Sequence, residues 1–229
     1  MSGREITVFA TAAVQEAYNV LVPLFDAAGP WRAATTWIPT VDLLQRIKDG
    51  ERPDLVIMSA AGIDELIAGG RLAQGSRVDL ASSGIGIAVA KGAARPDISS
   101  AEALVRTLRA ARSVSYSTGP SGAYLAGLFE RLGLAGDLAP KLKVVKGEPI
   151  GAVVARGEAE IGFQQIPELL PVTGIDLVGP LPADIQQVTT FAAGLPVGMQ
   201  DAYGAAALIA FLRTPQAHAV FRDKGMTPA

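Results

Sequence analysis

Short continuous apolar runs along the chain alternate with stretches in which apolar residues recur every three or four positions. The first run is Ile6-Thr7-Val8-Phe9-Ala10. Apolar residues then fall at Val14, Ala17, Tyr18, Leu21, Leu24 and Phe25, the spacing of one helical face. The alternation continues with a strand at Arg32–Trp37, a short helix at Val41–Ile47 stopped by Gly50, and a strand at Asp54–Met58. That last run is apolar throughout, as in a strand buried on both faces of a parallel sheet. It leads into a helix at Ile63–Ile67 closed by Gly69 and Gly70. Three β-α units in succession imply right-handed crossovers and a parallel sheet.

A second block follows the same logic. Its strands are expected at Gly84–Ala90, Val114–Tyr116, Leu142–Val145, Ile161–Gln164 and Ile175–Val178. Its helices are expected at Leu104–Ala111, after a capping sequence at Ser99–Glu102, on the stripe Tyr124, Leu125, Leu128, Phe129 and Leu132, and at Ile150–Val154. A strand-like run at Val188–Leu195 and two helices, Tyr203–Leu212 and Pro215–Arg222, close the chain. The fold class is therefore α/β, with two lobes: residues 1–83 and 195–229 in lobe one, residues 84–194 inserted as lobe two. Strands near Gly84–Val89 and Thr189–Gly194 are expected to cross between them.

Composition narrows the chemistry. Of 229 residues, 49% are apolar and the net charge is -2, so no basic excess points to nucleic acid. There is no cysteine and one histidine, His218, which excludes thiolate catalysis, disulfides and multi-histidine metal sites. No metal and no cofactor are expected. Gly84-x-Gly86 lies within a strand and lacks the third glycine of a dinucleotide loop. The Gly119–Gly122 loop has no P-loop lysine, and no nucleophile elbow is present. No stretch approaches the roughly 18–20 apolar residues of a membrane span. The segment before the first strand lacks the features of an export signal. The expected location is cytoplasmic, or periplasmic where a signal has been removed.

Two turns stand out. Ala10-Thr11-Ala12-Ala13 joins the first strand to its helix with small residues and one hydroxyl. Ser117-Thr118-Gly119-Pro120-Ser121-Gly122 does the same before the Tyr124 helix, with Pro120 at a first-turn position. A helix start offers free N–H groups and the positive end of its dipole, so each turn is suited to an anion. Thr11 either donates to such an anion or serves as a plain N-cap. One turn in each block suggests a small-molecule cleft between two lobes.

The order of motifs resembles the molybdate-binding proteins of bacterial ABC importers, which have the type II periplasmic-binding-protein fold. Val8–Val14 is similar to the opening motif of that family, Trp37–Ile47 to its second, and Pro53–Ala60 to its third strand, which ends in serine-alanine. Pro120-Ser121-Gly122-Ala123-Tyr124 and Gly157-Glu158-Ala159-Glu160-Ile161-Gly162 are similar to a helix start and a strand entry of the family. The resemblance implies a small anion held by Thr11, Ala12, Ala13, Thr40, Ser59, Ala60, Thr118, Ser121, Gly122, Ala123, Tyr124, Gln164 and Gln165, and an ABC importer as partner if the protein is exported.

The chain departs from the family pattern. Ala13 stands where a serine is expected, Ala61 replaces an acidic residue, Ser82 an asparagine, and Gln164-Gln165 a tyrosine. Losing the serine and tyrosine removes two donors, each worth roughly 1.5–3 kcal/mol to a charged ligand. The glutamines, with donor and acceptor ends, suit a larger organic anion such as a carboxylate. Strand alternation is expected to turn one of them inward and one toward the ligand. The primary expectation is a binding protein for a small oxyanion or carboxylate. The alternative is a cofactor-independent isomerase of an unsaturated tricarboxylate, the aconitate type, on the same scaffold. Tyr124, Glu148 and Glu168 are its candidate proton carriers. A third reading is a ligand sensor acting on a protein partner.

Overall fold

The computed structural model describes residues 4–229, which form two compact units. Unit 1 takes in the chain up to Ser82 together with Thr189–Ala229, and unit 2 is Ser83–Val188.

In unit 1, β1 (Arg4–Ala10) lies parallel between β2 (Trp31–Trp37) and β3 (Leu55–Ser59). β9 (Val188–Gly194) runs antiparallel to β3. The short β10 (Thr227–Pro228) pairs antiparallel with the beginning of β4 (Val78–Ala90). β1 presents Ile6, Val8 and Ala10 to the core formed with α1 (Gln15–Ala28), α9 (Ala202–Leu212) and α10 (Pro215–Asp223). β3 is buried on both faces. Leu55 and Ile57 join that core, while Val56 and Met58 pack with α2 (Thr40–Lys48) and α3 (Ala60–Ala68). The run of five apolar and small residues in β3 is thus a three-layer requirement. Tyr18 ties α1 to β2, its hydroxyl 2.8 Å from Thr35 Oγ1 and its ring edge-on to Trp37.

The buried Asp54 carboxylate fastens the opposite ends of these strands. It accepts hydrogen bonds from Thr7 N (2.9 Å), Thr7 Oγ1 (2.8 Å), Gln200 N (2.9 Å) and Asp201 N (2.9 Å). Asp201 in turn caps α9, accepting from Gly204 N.

Unit 2 has the strand order β8-β4-β7-β5-β6. β5 (Val114–Ser117) is parallel to β6 (Leu142–Val145) and β7 (Ile161–Gln165), while the later part of β4 is antiparallel to β7 and β8 (Ile175–Pro180). Its main core joins the strands to α4 (Ala101–Ala110), α5 (Pro120–Arg131) and α6 (Ala135–Leu138). α7 (Ile150–Ala155) packs with its own small cluster against β7, and α8 (Ile166–Leu169) follows β7 directly. Ser100 Oγ caps α4 by accepting from Ala103 N, as its sequence indicates. The stops Gly50 and Gly157 take φ of 104° and 73°, where a side chain is strained. The expected elements all form. The strand expected at Gly84 begins earlier, at Val78, and the four-residue α6 and α8 are additional.

Candidate functional site

Each unit places several helix starts along one edge of its parallel strands. In unit 1, Ala10 lies beside Trp37 and Ile57, so β1, β2 and β3 end together and lead into α1, α2 and α3. In unit 2, β5, β6 and β7 end together and lead into α5, α7 and α8. Ligands of open α/β sheets lie outside such carboxyl ends.

Thr11 follows β1 in extended conformation, its N–H donating to Ile57 O at 3.0 Å. The next three residues, Ala12–Val14, form a single 3-10 turn before α1. Thr11 is 4% exposed, and its hydroxyl has no hydrogen-bond partner in the protein and does not cap the helix. A buried hydroxyl left without a partner is uncommon and marks a place where a ligand or water completes the set. Ala12 is exposed, whereas Ala13 packs into the core of unit 1. The Ala13 methyl therefore faces apolar neighbours, and only its main chain can serve an anion.

Thr40 is the first residue of α2 and is half-buried, behind Pro39, which offers no capping side chain. Ser59 is buried at the end of β3, where its Oγ caps α3 by accepting from Gly62 N at 3.4 Å. Its proton is left over for another acceptor. Ala60, next in line, is buried.

In unit 2, Thr118 is exposed and its N–H donates to Val145 O. Ser121 and Gly122 are buried in the first turn of α5, and Ala123 is exposed. A Cβ on Gly122 would stand 1.5 Å from Ser117 O, so the turn closes this tightly only with glycine. The Tyr124 hydroxyl donates to Ile185 O at 2.8 Å, and its ring lies under the Arg131 guanidinium.

Gln164 and Gln165 are both buried. Alternation puts Gln164 on the same face of β7 as Gly162, toward α7, and Gln165 on the face of Phe163. Gln164 Oε1 accepts from Ile150 N at 2.8 Å, and its Nε2 donates to Glu168 Oε1 at 2.8 Å. Burial pushes the Glu168 carboxyl up to about 7, with the Gln164 amide holding it back in part. Glu148 is instead ion-paired to Arg156 at 2.6 Å.

Sequence reasoning passed over Ser115, whose fully buried hydroxyl has no partner and which lies opposite Gly162 on the α7 side of the sheet. Its only trace in the sequence is a polar residue inside an otherwise buried strand. At the other edge of this sheet, a depression lined by Arg112, Ser113 and Glu160 has its opposite charges paired at 3.1 Å. Among the described residues, no group of three or more histidine and acidic side chains is placed to hold a metal ion.

The sequence pattern of the bacterial extracellular solute-binding proteins matches residues 6–227. The chain belongs to this family. The chain is 36% identical over 229 residues to an aconitate isomerase from a Pseudomonas species, a match covering 97% of the chain and 87% of that protein. Among solved structures it resembles the sulfate-binding protein of Mycobacterium tuberculosis, with a TM-score of 0.80 at 19% identity over 99% of this chain and 87% of that one. It also resembles the molybdate-binding protein of Azotobacter vinelandii, with a TM-score of 0.79 at 16% identity over 97% and 98%. These likenesses identify the two-lobed type II periplasmic substrate-binding fold, related to molybdate- and sulfate-binding proteins. Such a fold holds a small anionic or organic ligand. No described helix is long and apolar enough to cross a membrane.

Proposed function

We propose that this protein is an isomerase of an unsaturated tricarboxylate, interconverting cis- and trans-aconitate. The observation that carries the reading is the 36% identity to an aconitate isomerase across 97% of the chain. Aconitate is a propene with a carboxylate on each carbon. Taking a proton from its methylene carbon gives an allylic anion whose ends are chemically equivalent. Returning a proton to the other end regenerates aconitate with its double bond moved, and the geometry can change in that step. No redox partner or co-reactant is needed.

The polar groups suit this chemistry. In unit 1, the unpartnered Thr11 hydroxyl and the starts of α1, α2 and α3 are donors for a carboxylate. In unit 2, the Ser117–Ala123 turn is a second such donor set. Preorganised N–H and O–H donors favour the enolate-like charge that builds up as the proton leaves. At Ala13 the side chain packs into the core of unit 1, so only its main-chain N–H is offered to the ligand.

A thermal-shift series tests the ligand class. Aconitate present at about 100 times its Kd is expected to stabilise the protein by roughly 2.7 kcal/mol, with molybdate, tungstate and sulfate ineffective. Stabilisation by molybdate alone contradicts the tricarboxylate reading. Stabilisation by aconitate without turnover leaves a carboxylate-binding protein.

A further inference from the structure

We propose that Glu168 is the proton carrier of this isomerisation and that Gln164 is the residue that aims it. The assignment rests on the isomerase reading. It starts from the order of donors and acceptors in unit 2. The Ile150 main-chain N–H can only donate, so the atom of the Gln164 amide facing it at 2.8 Å must be the oxygen. The NH2 end then faces Glu168 Oε1, also at 2.8 Å. This fixes the amide orientation by chemistry. An NH2 group donates to a carboxylate and to the carbonyl oxygen of a carboxylic acid alike. Glu168 Oε1 therefore stays an acceptor in both protonation states, and Oε2 is the oxygen that takes up and gives back a proton.

The position agrees. Glu168 lies in the turn that leaves β7, at the edge from which α5 and its glycine-bearing first turn also start. Among the described residues, no positive charge pairs with it. The residues of β7, α7 and the Ser83–Ala90 part of β4 carry no ionisable side chain. Glu148 and Arg156, which flank α7, pair with each other, and Asp176 of β8 accepts from Gly92 N. Burial lifts the Glu168 carboxyl to about 7, where both forms are populated near neutral pH, as an efficient acid-base group requires. The rival carriers are engaged elsewhere: Glu148 by Arg156, Tyr124 as donor to Ile185 O.

In the step itself, Oε2 of the Glu168 carboxylate takes a proton from the substrate methylene carbon. The electron pair of that C–H bond spreads over the allylic unit and its carboxylates. The Glu168 carboxylic acid then returns a proton to the former vinyl carbon, and the carboxylate is restored.

The test compares wild type, Glu168→Gln and Gln164→Leu, each checked by thermal melting with and without trans-aconitate. Glu168→Gln keeps shape and the acceptor for Gln164. It is expected to retain the ligand-induced shift while isomerisation falls about 1,000-fold, within the usual span for a general acid-base group. In wild type, kcat/KM is expected to rise with pH through about 7. Gln164→Leu removes the donor that favours the charged form, so that this rise moves to higher pH and activity falls more at pH 6 than at pH 8.5. A folded wild type that never interconverts the isomers overturns the isomerase reading and the carrier with it. An active wild type whose Glu168→Gln variant keeps its rate within about tenfold overturns Glu168 alone. A Gln164→Leu loss that is equal at every pH overturns the aiming role.

Discussion

Three polar side chains in these units, Thr11 and Asp54 buried and Glu168 half-buried, are placed for different reasons, and substitution separates them. Thr11 is buried with an idle hydroxyl. Thr11→Val keeps the shape and removes that group, so the free protein is expected to melt at the same temperature or slightly higher. Ligand affinity is expected to fall about tenfold or more, the consequence of a lost hydrogen bond to an anion of roughly 1.5–3 kcal/mol. Titration calorimetry with aconitate reads both the affinity and its change. Asp54 is buried because it is fully used. Burial pushes its carboxyl up, but the N–H groups of Asp201, Thr7 and Gln200 and the Thr7 hydroxyl outweigh this and hold it below the ordinary carboxylate value. A lowered folded-state pKa stabilises the fold above the unfolded value and loses that effect as pH falls through the folded one. Asp54→Asn is expected to lose about 3 kcal/mol at pH 7, a deficit that shrinks in denaturant melts below pH 4. Glu168 has the opposite sign. Its carboxyl is raised from 4.5 to about 7, so its favourable contribution is complete below pH 4.5 and is lost as pH rises through the folded value. Glu168→Gln is therefore expected to be more stable than wild type at pH 8, by up to about 3 kcal/mol, and no more stable at pH 4.

Among the elements, what the sequence made legible depended on length and period. β3 reads as a doubly buried strand because every position from Leu55 to Met58 is apolar, and Val56 and Ile57 do pack on opposite faces. α1 reads from its stripe of Ala17, Tyr18, Leu21 and Phe25. α6 and α8 span four residues each, too few to show a helical repeat. The Asp54 knot escaped notice because its donors come from Thr7, Gln200 and Asp201, distant in sequence. Period 2 in β7 put Gln164 and Gln165 on opposite faces but could not say that Ile150 N would fix the first. The proline-serine-glycine start of α5 was legible, and the structure supplies its reason. Gly122→Ala drives a methyl into Ser117 O, so it is expected to detach the Ser117–Gly119 loop from the helix. Far-UV and near-UV circular dichroism are expected to show retained helix with a lowered, broadened melt, and aconitate is expected to produce no thermal shift.

At the level of the whole molecule, the family was readable from the order of motifs along nearly the entire chain, and the match over residues 6–227 agrees with it. Ligand identity was less readable. Departures such as Ala13 and Gln164 mark where the chain differs from the molybdate-binding pattern without naming a ligand, since one buried methyl or amide fits many anions. The 36% identity to an aconitate isomerase favours catalysis over simple binding. Turnover is the property that divides them. Proton NMR resolves the vinyl signals of cis- and trans-aconitate, so the purified protein can be given either isomer alone and followed to completion. The account predicts that both starting isomers converge on one mixture, at a rate proportional to protein concentration and lost in Glu168→Gln. An unchanged spectrum from both isomers, with aconitate demonstrably bound, would contradict it.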